Sequence, residues 1–246
     1  CKNYNLFLCN SGAEANENAL KLASFKTGKK KVIAFKNSFH GRTSAAVAAT
    51  DNQKIVAPIN AQQEVEFIEL GNIEVVDKAL QKEDVCAVIV ECIQGVGVLV
   101  QSTTEFYQGL DKLCKQYNTA LITDEVQSGF GRTGDFFAFQ KHNIMPDIIS
   151  IAKGMGNGFP VGGILIHPSI KASFGLLGTT FGGNHLACAA TLSVLEVLEE
   201  EHLMKNVSEI EAYFHEKAKA LPNLKSIKGR GLMLGLEFDF PISELR

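Results

Sequence analysis

Three short apolar runs in this chain each end on a charged residue. Val85-Cys-Ala-Val-Ile-Val90 is followed by Glu91, Thr119-Ala-Leu-Ile-Thr123 by Asp124, and Ile148-Ile-Ser-Ile-Ala152 by Lys153. Runs with so little polar alternation have no solvent face. They are the pattern of strands buried on both sides in a parallel sheet. Amphipathic helical patterns lie between them, at Asn72 to Gln81 and Thr104 to Tyr117. Strands and helices alternate over roughly the first 165 residues, which predicts an α/β fold with a largely parallel sheet and right-handed crossovers. Ligands of such sheets gather outside the carboxyl ends of the strands, where these three charged residues stand.

Lys153 runs directly into Gly154-Met-Gly156. Glycines there let the chain approach a ligand closely. A partly desolvated lysine has a lowered pKa and a nucleophilic amine, which can bond the carbonyl of an aldehyde cofactor. A solvated loop lysine is the plain alternative. Asp124, buried at a strand end, requires a positive partner. A protonated pyridine nitrogen would serve, and the carboxylate would keep it protonated. Glu125 alternates to the other face, away from that site.

A strand at Asn5–Cys9 leads into a helix at Ser11, with Ser11 and Glu14 at capping-box spacing. Ser11, Gly12 and Ala13 are small enough to expose the first amides of this helix to a phosphate. Plain capping is the alternative. A second strand at Lys29–Phe35 precedes Asn37-Ser-Phe-His-Gly-Arg-Thr43. Phe39 can stack on a flat ring, and Arg42 can bind a carboxylate bidentately. A core phenylalanine and a surface arginine would carry the same sequence, and His40 reads as a packed, hydrogen-bonded histidine. Further strands are expected at Val65–Leu70 and Gly163–Ile166. Thr179 and Thr180, beside Gly182 and Gly183, suit a phosphate or carboxylate, or cap the helix that runs from His185 to about Glu200. A helix over Leu203–Leu221 and a strand pair over Ser226–Phe240 follow.

Composition narrows the partners. Apolar residues make up 46% of the chain and charged residues 21%, with a net charge of −3. That balance argues against nucleic-acid and anionic-membrane partners. No apolar run approaches the roughly 18 residues of a membrane span. The six cysteines are scattered without a CxxC pair, so buried thiols in a cytoplasmic protein are expected rather than metal ligands. The chain opens at Cys1 and stops at Arg246 just after a strand-like run, which suggests a fragment. The expected organisation is a large domain over 1–203 and the start of a smaller one over 204–246.

Jointly, Lys153, Asp124, Gly12–Ala13, Phe39 and Val126 describe one ligand, a phosphorylated pyridine aldehyde. On Asn-Ser-Gly-Ala-Glu-Ala (10–15), Ser-Phe-His-Gly-Arg-Thr (38–43), Asp-Glu-Val-Gln-Ser-Gly-Phe-Gly-Arg-Thr-Gly (124–134), Ala-Lys-Gly (152–154) and Thr-Thr-Phe-Gly-Gly-Asn (179–184), the chain resembles the class III aminotransferases. Within them it is most similar to those acting on acetylornithine or succinylornithine. The resemblance implies the type I, aspartate-aminotransferase-like fold, with a small α+β C-terminal domain. It implies pyridoxal 5'-phosphate as cofactor and a homodimer with shared sites. Lys153 would bond the cofactor and shuttle a proton, Asp124 would pair with the ring nitrogen, and Gln127 would reach the ring hydroxyl. Phe39 and Val126 would flank the ring, and Gly12 and Ala13 would hold the phosphate with Thr180 of the other subunit. Arg42 would take the substrate α-carboxylate, with Thr179 nearby. The implied reaction moves an ω-amino group to 2-oxoglutarate, in arginine biosynthesis. Ornithine, 4-aminobutyrate and other ω-amino acids are rival substrates, and a non-catalytic cofactor-binding relative is a further alternative. Two departures stand out: Val96 where many relatives have glutamate, and His185 where proline is usual.

Overall fold

The computed structural model describes residues 3–96, 99–171 and 173–242. Strand β1 (Asn5–Cys9) feeds helix α1 (Gly12–Thr27). Ser11 caps this helix by accepting the Glu14 amide, and Gly28 ends it at φ 70°, donating its amide to Ser24. Then come β2 (Lys31–Phe35), α2 (Ser44–Ala48), β3 (Val65–Ile68), α3 (Ile73–Leu80), β4 (Val85–Val90), α4 (Thr104–Gln116), β5 (Ala120–Asp124), β6 (Ile148–Ile151) and β7 (Gly162–Ile166). Helices α5 (His185–Glu200) and α6 (Leu203–Ala218) precede a hairpin of β8 (Leu224–Arg230) and β9 (Met233–Phe238).

Strands β1 to β7 form one sheet in the order β1-β7-β6-β5-β4-β2-β3. The run from β6 to β3 is parallel, as the continuous apolar segments require. Strand β7 departs from the expected parallel direction and lies antiparallel to both β6 and β1. The reason is chain length. The glycine-rich turn over 152–161 is too short for a crossover, which takes a dozen or more residues. Because β1 is antiparallel to β7, it points the same way as β6, and its carboxyl end joins the same sheet edge.

Side chains alternate between two cores. Val88 and Val90 of β4, Leu121 of β5, and Ile149 and Ile151 of β6 face a cluster with Phe106, Tyr107 and Leu110 of α4. Ala87, Ile89, Ile122 and Ile148 face the opposite cluster, with Ala15, Ala19 and Leu22 of α1. Each fully buried aliphatic side chain contributes about 2 kcal/mol, so the central strands are fixed from both sides. The chain passes from β2 outward to β3, then returns across β2 to β4 and proceeds to β5. Strands β2 and β4 therefore bound the point where the winding reverses, and a crevice opens there. Helix α5 packs on α6, and α6 on β8, while β8 and β9 form their own two-stranded sheet. The hairpin begins two residues earlier than the sequence pattern suggested.

Candidate active site

A cavity of about 640 Å³ lies at the carboxyl edge of the sheet, over that reversal. It is walled by the segments that leave β1, β2, β4, β5 and β6. Lys153 enters it from the end of β6, in a single 3₁₀ turn over Lys153–Met155. Its backbone sits at φ 45°, a left-handed conformation that costs an L-residue about 1–2 kcal/mol. Gly156 cannot carry a Cβ, because Phe159 O and Val161 crowd the position. The turn is thereby held tight, and it aims the lysine into the cavity. The side chain reaches solvent through the mouth. Even so, desolvation by its surroundings lowers the pKa of the amine below the ordinary lysine value, against the opposing charges of Asp124 and Glu91. A larger fraction of this amine is unprotonated at mildly alkaline pH than at the exposed lysines. With limiting acylating reagent at pH 8, Lys153 should label several times faster than the mean surface lysine, as read by peptide mass mapping. Labelling at or below that mean would refute the activated amine.

Asp124 forms the floor. Its Oδ2 accepts from Asn16 Nδ2 at 2.7 Å and from His40 Nδ1 at 2.8 Å, and its Oδ1 accepts the Val126 amide at 3.0 Å. All three side chains are buried. Burial alone would depress the histidine pKa. The hydrogen bond and charge of Asp124, with a smaller contribution from Glu91, outweigh it and raise His40 above its ordinary value. His40 is thus easier to protonate than an ordinary imidazole, and it gives the buried aspartate a hydrogen-bond partner. His40 Nε2 and Asn16 Oδ1 have no hydrogen-bond partner among the described residues.

The phosphate candidate is the start of α1. Glu14 turns back to accept the Asn10 amide at 2.8 Å, instead of closing the expected box on Ser11. The Gly12 and Ala13 amides have no partner among the described residues. A Cβ on Gly12 would stand 2.5 Å from Val126 Cγ1, so only glycine lets this helix end press on the floor of the cavity. Gly41, at φ 138°, likewise lets the loop after β2 lie against Ala13. Phe39, Arg42, Val126 and Gln127 all line the cavity.

The threonine pair is placed differently. Thr179 Oγ1 donates to Glu14 Oε1 at 3.0 Å and accepts from Asn10 Nδ2 at 3.1 Å, which locks it onto the start of α1. Thr180 is exposed. Neither is among the residues lining this cavity. Glu125 does face away, as its register requires. It accepts from Ser128 Oγ and from the amides of Ala138 and Phe139, pinning the loop between them. Among the lining residues to which the sequence reading gave no role in the site are Asn16, His40, Glu91 and Arg132, although His40 is packed and hydrogen-bonded as expected. Only Glu91 carried a signal, since it ends an apolar run as Asp124 does.

Unpartnered helix amides, an aromatic face, a buried carboxylate and an activated amine fit a phosphorylated pyridine aldehyde in their chemistry. Among the described residues no group of three or more His, Cys, Asp or Glu side chains is placed to hold a metal ion, and no helix is long and apolar enough to cross a membrane. The family model described as class-III aminotransferase matches residues 2–244. The chain is 42% identical over 246 residues to the acetylornithine aminotransferase of Bacillus subtilis, covering 98% of this chain and 64% of that protein. It is 43% identical over 242 residues to that of Aquifex aeolicus, covering 95% of this chain and 63% of the other. Among solved structures, the ornithine aminotransferase of Toxoplasma gondii superposes with a TM-score of 0.88 at 31% identity, covering 96% of this chain and 60% of that one. The taurine:2-oxoglutarate aminotransferase of Bifidobacterium kashiwanohense, in complex with PLP and glutamate, does so with a TM-score of 0.86 at 27% identity, over 96% and 60%. This chain therefore spans a little under two thirds of the length of the proteins it matches.

Proposed function

Since the chain belongs to the class-III aminotransferases, we propose that it is the greater part of a pyridoxal 5'-phosphate-dependent transaminase acting on the ω-amino group of N-acetylornithine or N-succinylornithine, with 2-oxoglutarate as acceptor. The observation that carries this reading is the convergence of Lys153, Asp124 and the α1 amides on one cavity. When bound, the cofactor supplies a ring that accepts the electrons of a broken substrate C–H bond.

The chain's own residues do the rest. Lys153 would hold the cofactor through its amine, and the free Lys153 Nζ would move the proton from and back to the substrate carbon, a task for which its lowered pKa suits it. Asp124, oriented by Asn16 and His40, would keep the cofactor's ring nitrogen protonated. The Gly12 and Ala13 amides bind the phosphate through free donors and the helix dipole, and the partner subunit's Thr180 joins them. Phe39 and Val126 would confine the ring, Gln127 would bond its hydroxyl, and Arg42 would take the substrate carboxylate, with Thr179 holding the helix start. The exposed position of Thr180 accords with a homodimer. Residues 204–246, with α6 and the separate hairpin, open a small C-terminal domain. A role in cytoplasmic arginine biosynthesis follows from the proposed substrate.

Assay of the full-length protein with N-acetylornithine, N-succinylornithine, ornithine and 4-aminobutyrate separates the substrates. The expected result is a kcat/KM for an acylated ornithine at least about 100-fold above that for 4-aminobutyrate, within the roughly 10–200-fold that even a single methylene contact provides. Turnover of 4-aminobutyrate alone would end the substrate assignment while leaving the chemistry intact.

A further inference from the structure

The ladder between β2 and β4 stops at Ile33 and Val88, before either strand ends. Beyond it the two chains part, and that gap is the crevice under the cavity. Glu91, the first residue after β4, spans it. Its Oε1 accepts the Phe39 amide at 2.9 Å from the loop after β2, and its Oε2 accepts the Gly95 amide at 2.9 Å from its own loop. Gln94 Nε2 adds a second tie, donating to Lys36 O at 2.7 Å. The Gln127 side-chain amide lies against Gly95, close to where a Cβ would stand. One buried carboxylate therefore fixes Phe39 on one side and, through Gly95, the position of Gln127 on the other.

We propose that Glu91 is a positioning residue whose carboxylate ties these two loops and sets the width of the slot that receives the flat ring of the cofactor. The inference rests on the cofactor reading above and assigns this chain's residue a role within it. The charged groups that face Glu91 are His40, Asp124 and Lys153, and Arg42 and Arg132 line the same cavity. Protonating Glu91 turns one acceptor oxygen into a donor facing an amide, so one tie breaks and the slot loosens. Burial moves this carboxyl up to about 7, with the Asp124 charge adding to it and His40 and the two amides opposing. The clamp is therefore closed above neutral pH and opens as pH falls through that value.

The test compares wild type with Glu91→Gln in the full-length protein stripped of cofactor. Titration with pyridoxal 5'-phosphate should give a dissociation constant about 10-fold weaker for the variant at pH 8.5, the effect of one lost charge-assisted hydrogen bond. The ratio should shrink toward one by pH 5.5, because wild type then loses the same tie. Taking the ratio cancels the titrations of Lys153 and His40 to the extent that both proteins share them. In the ligand-free protein, selectively labelled Phe39 and Gly95 amides should shift together with one midpoint near 7 in wild type and show no such step in the variant. A pH-independent ratio, or amides that do not titrate, would overturn the clamp. Should Glu91→Gln fail to fold, Glu91→Asp serves. It keeps the charge but is too short to reach both amides, so it should weaken binding and retain a pH-dependent step. If wild type binds no cofactor, the functional reading falls, while the amide titration still judges the clamp.

Discussion

Replacing Lys153 with alanine should lower the proposed transaminase turnover by about 10⁴-fold, the upper range for removal of a group that transfers a proton. The fold should survive, because the side chain reaches solvent and the 3₁₀ turn is built by backbone and glycine contacts. The visible absorbance that cofactor attachment gives wild type should vanish together with activity, at nearly unchanged melting temperature. Lys153→Arg separates charge from nucleophilicity. It keeps the cation near Asp124 and Glu91, yet it should be as inactive as alanine, since a guanidinium stays protonated. Turnover within tenfold of wild type in either variant would remove Lys153 from the reaction.

Asp124 should be the most damaging position for stability and activity together. In Asp124→Ala, the amide of Asn16 and the ring of His40 lose their shared acceptor inside the core. Removing one partner of a buried pair costs about 3–5 kcal/mol, because the other is left buried and uncompensated. The His40 pKa should then fall below its wild-type position, since Asp124 is what raises it against burial. Asp124→Asn keeps the shape and isolates the charge. Its expected loss is roughly 10²- to 10³-fold in kcat, the scale for one preorganised electrostatic group, with a smaller loss of stability than alanine causes. Chemical denaturation and steady-state kinetics on the two variants resolve the contributions. An Asp124→Asn enzyme with wild-type kcat would show that the charge at this position is structural only.

The legible parts of this molecule were those written in local pattern. Strands β4, β5 and β6 announced themselves as continuous apolar runs, and their carboxyl ends gave Glu91, Asp124 and Lys153 a common edge. The Ser11 cap and the small residues after it marked the start of α1. Four features were not legible, for separable reasons. The antiparallel direction of β7 depends on connection length, which becomes decisive only when the neighbours are known. The bonds from Asn16 and His40 to Asp124 cross 108 and 84 residues of sequence, and nothing near either residue announces them. The left-handed turn at Lys153 runs into Gly156, which Phe159 and Val161 crowd, and no local pattern marks that conformation. Thr179 carried a polar signal, but Glu14 and Asn10 claim its hydroxyl.

The pairing of β1 with β7 orders events in time. β1 is an edge strand whose one neighbour in the sheet is β7, and Leu8 sits opposite Gly163 in that ladder. A ribosome adding about 5–20 residues per second completes the lysine and both site acids before it completes the strand that anchors the helix start. A chain released before residue 162 would thus hold the reactive groups without a secured phosphate cradle. Closing so long a loop is also slow, since its entropy is lost before the contact is gained. The β1–β7 ladder is therefore among the last contacts of the sheet to form during synthesis.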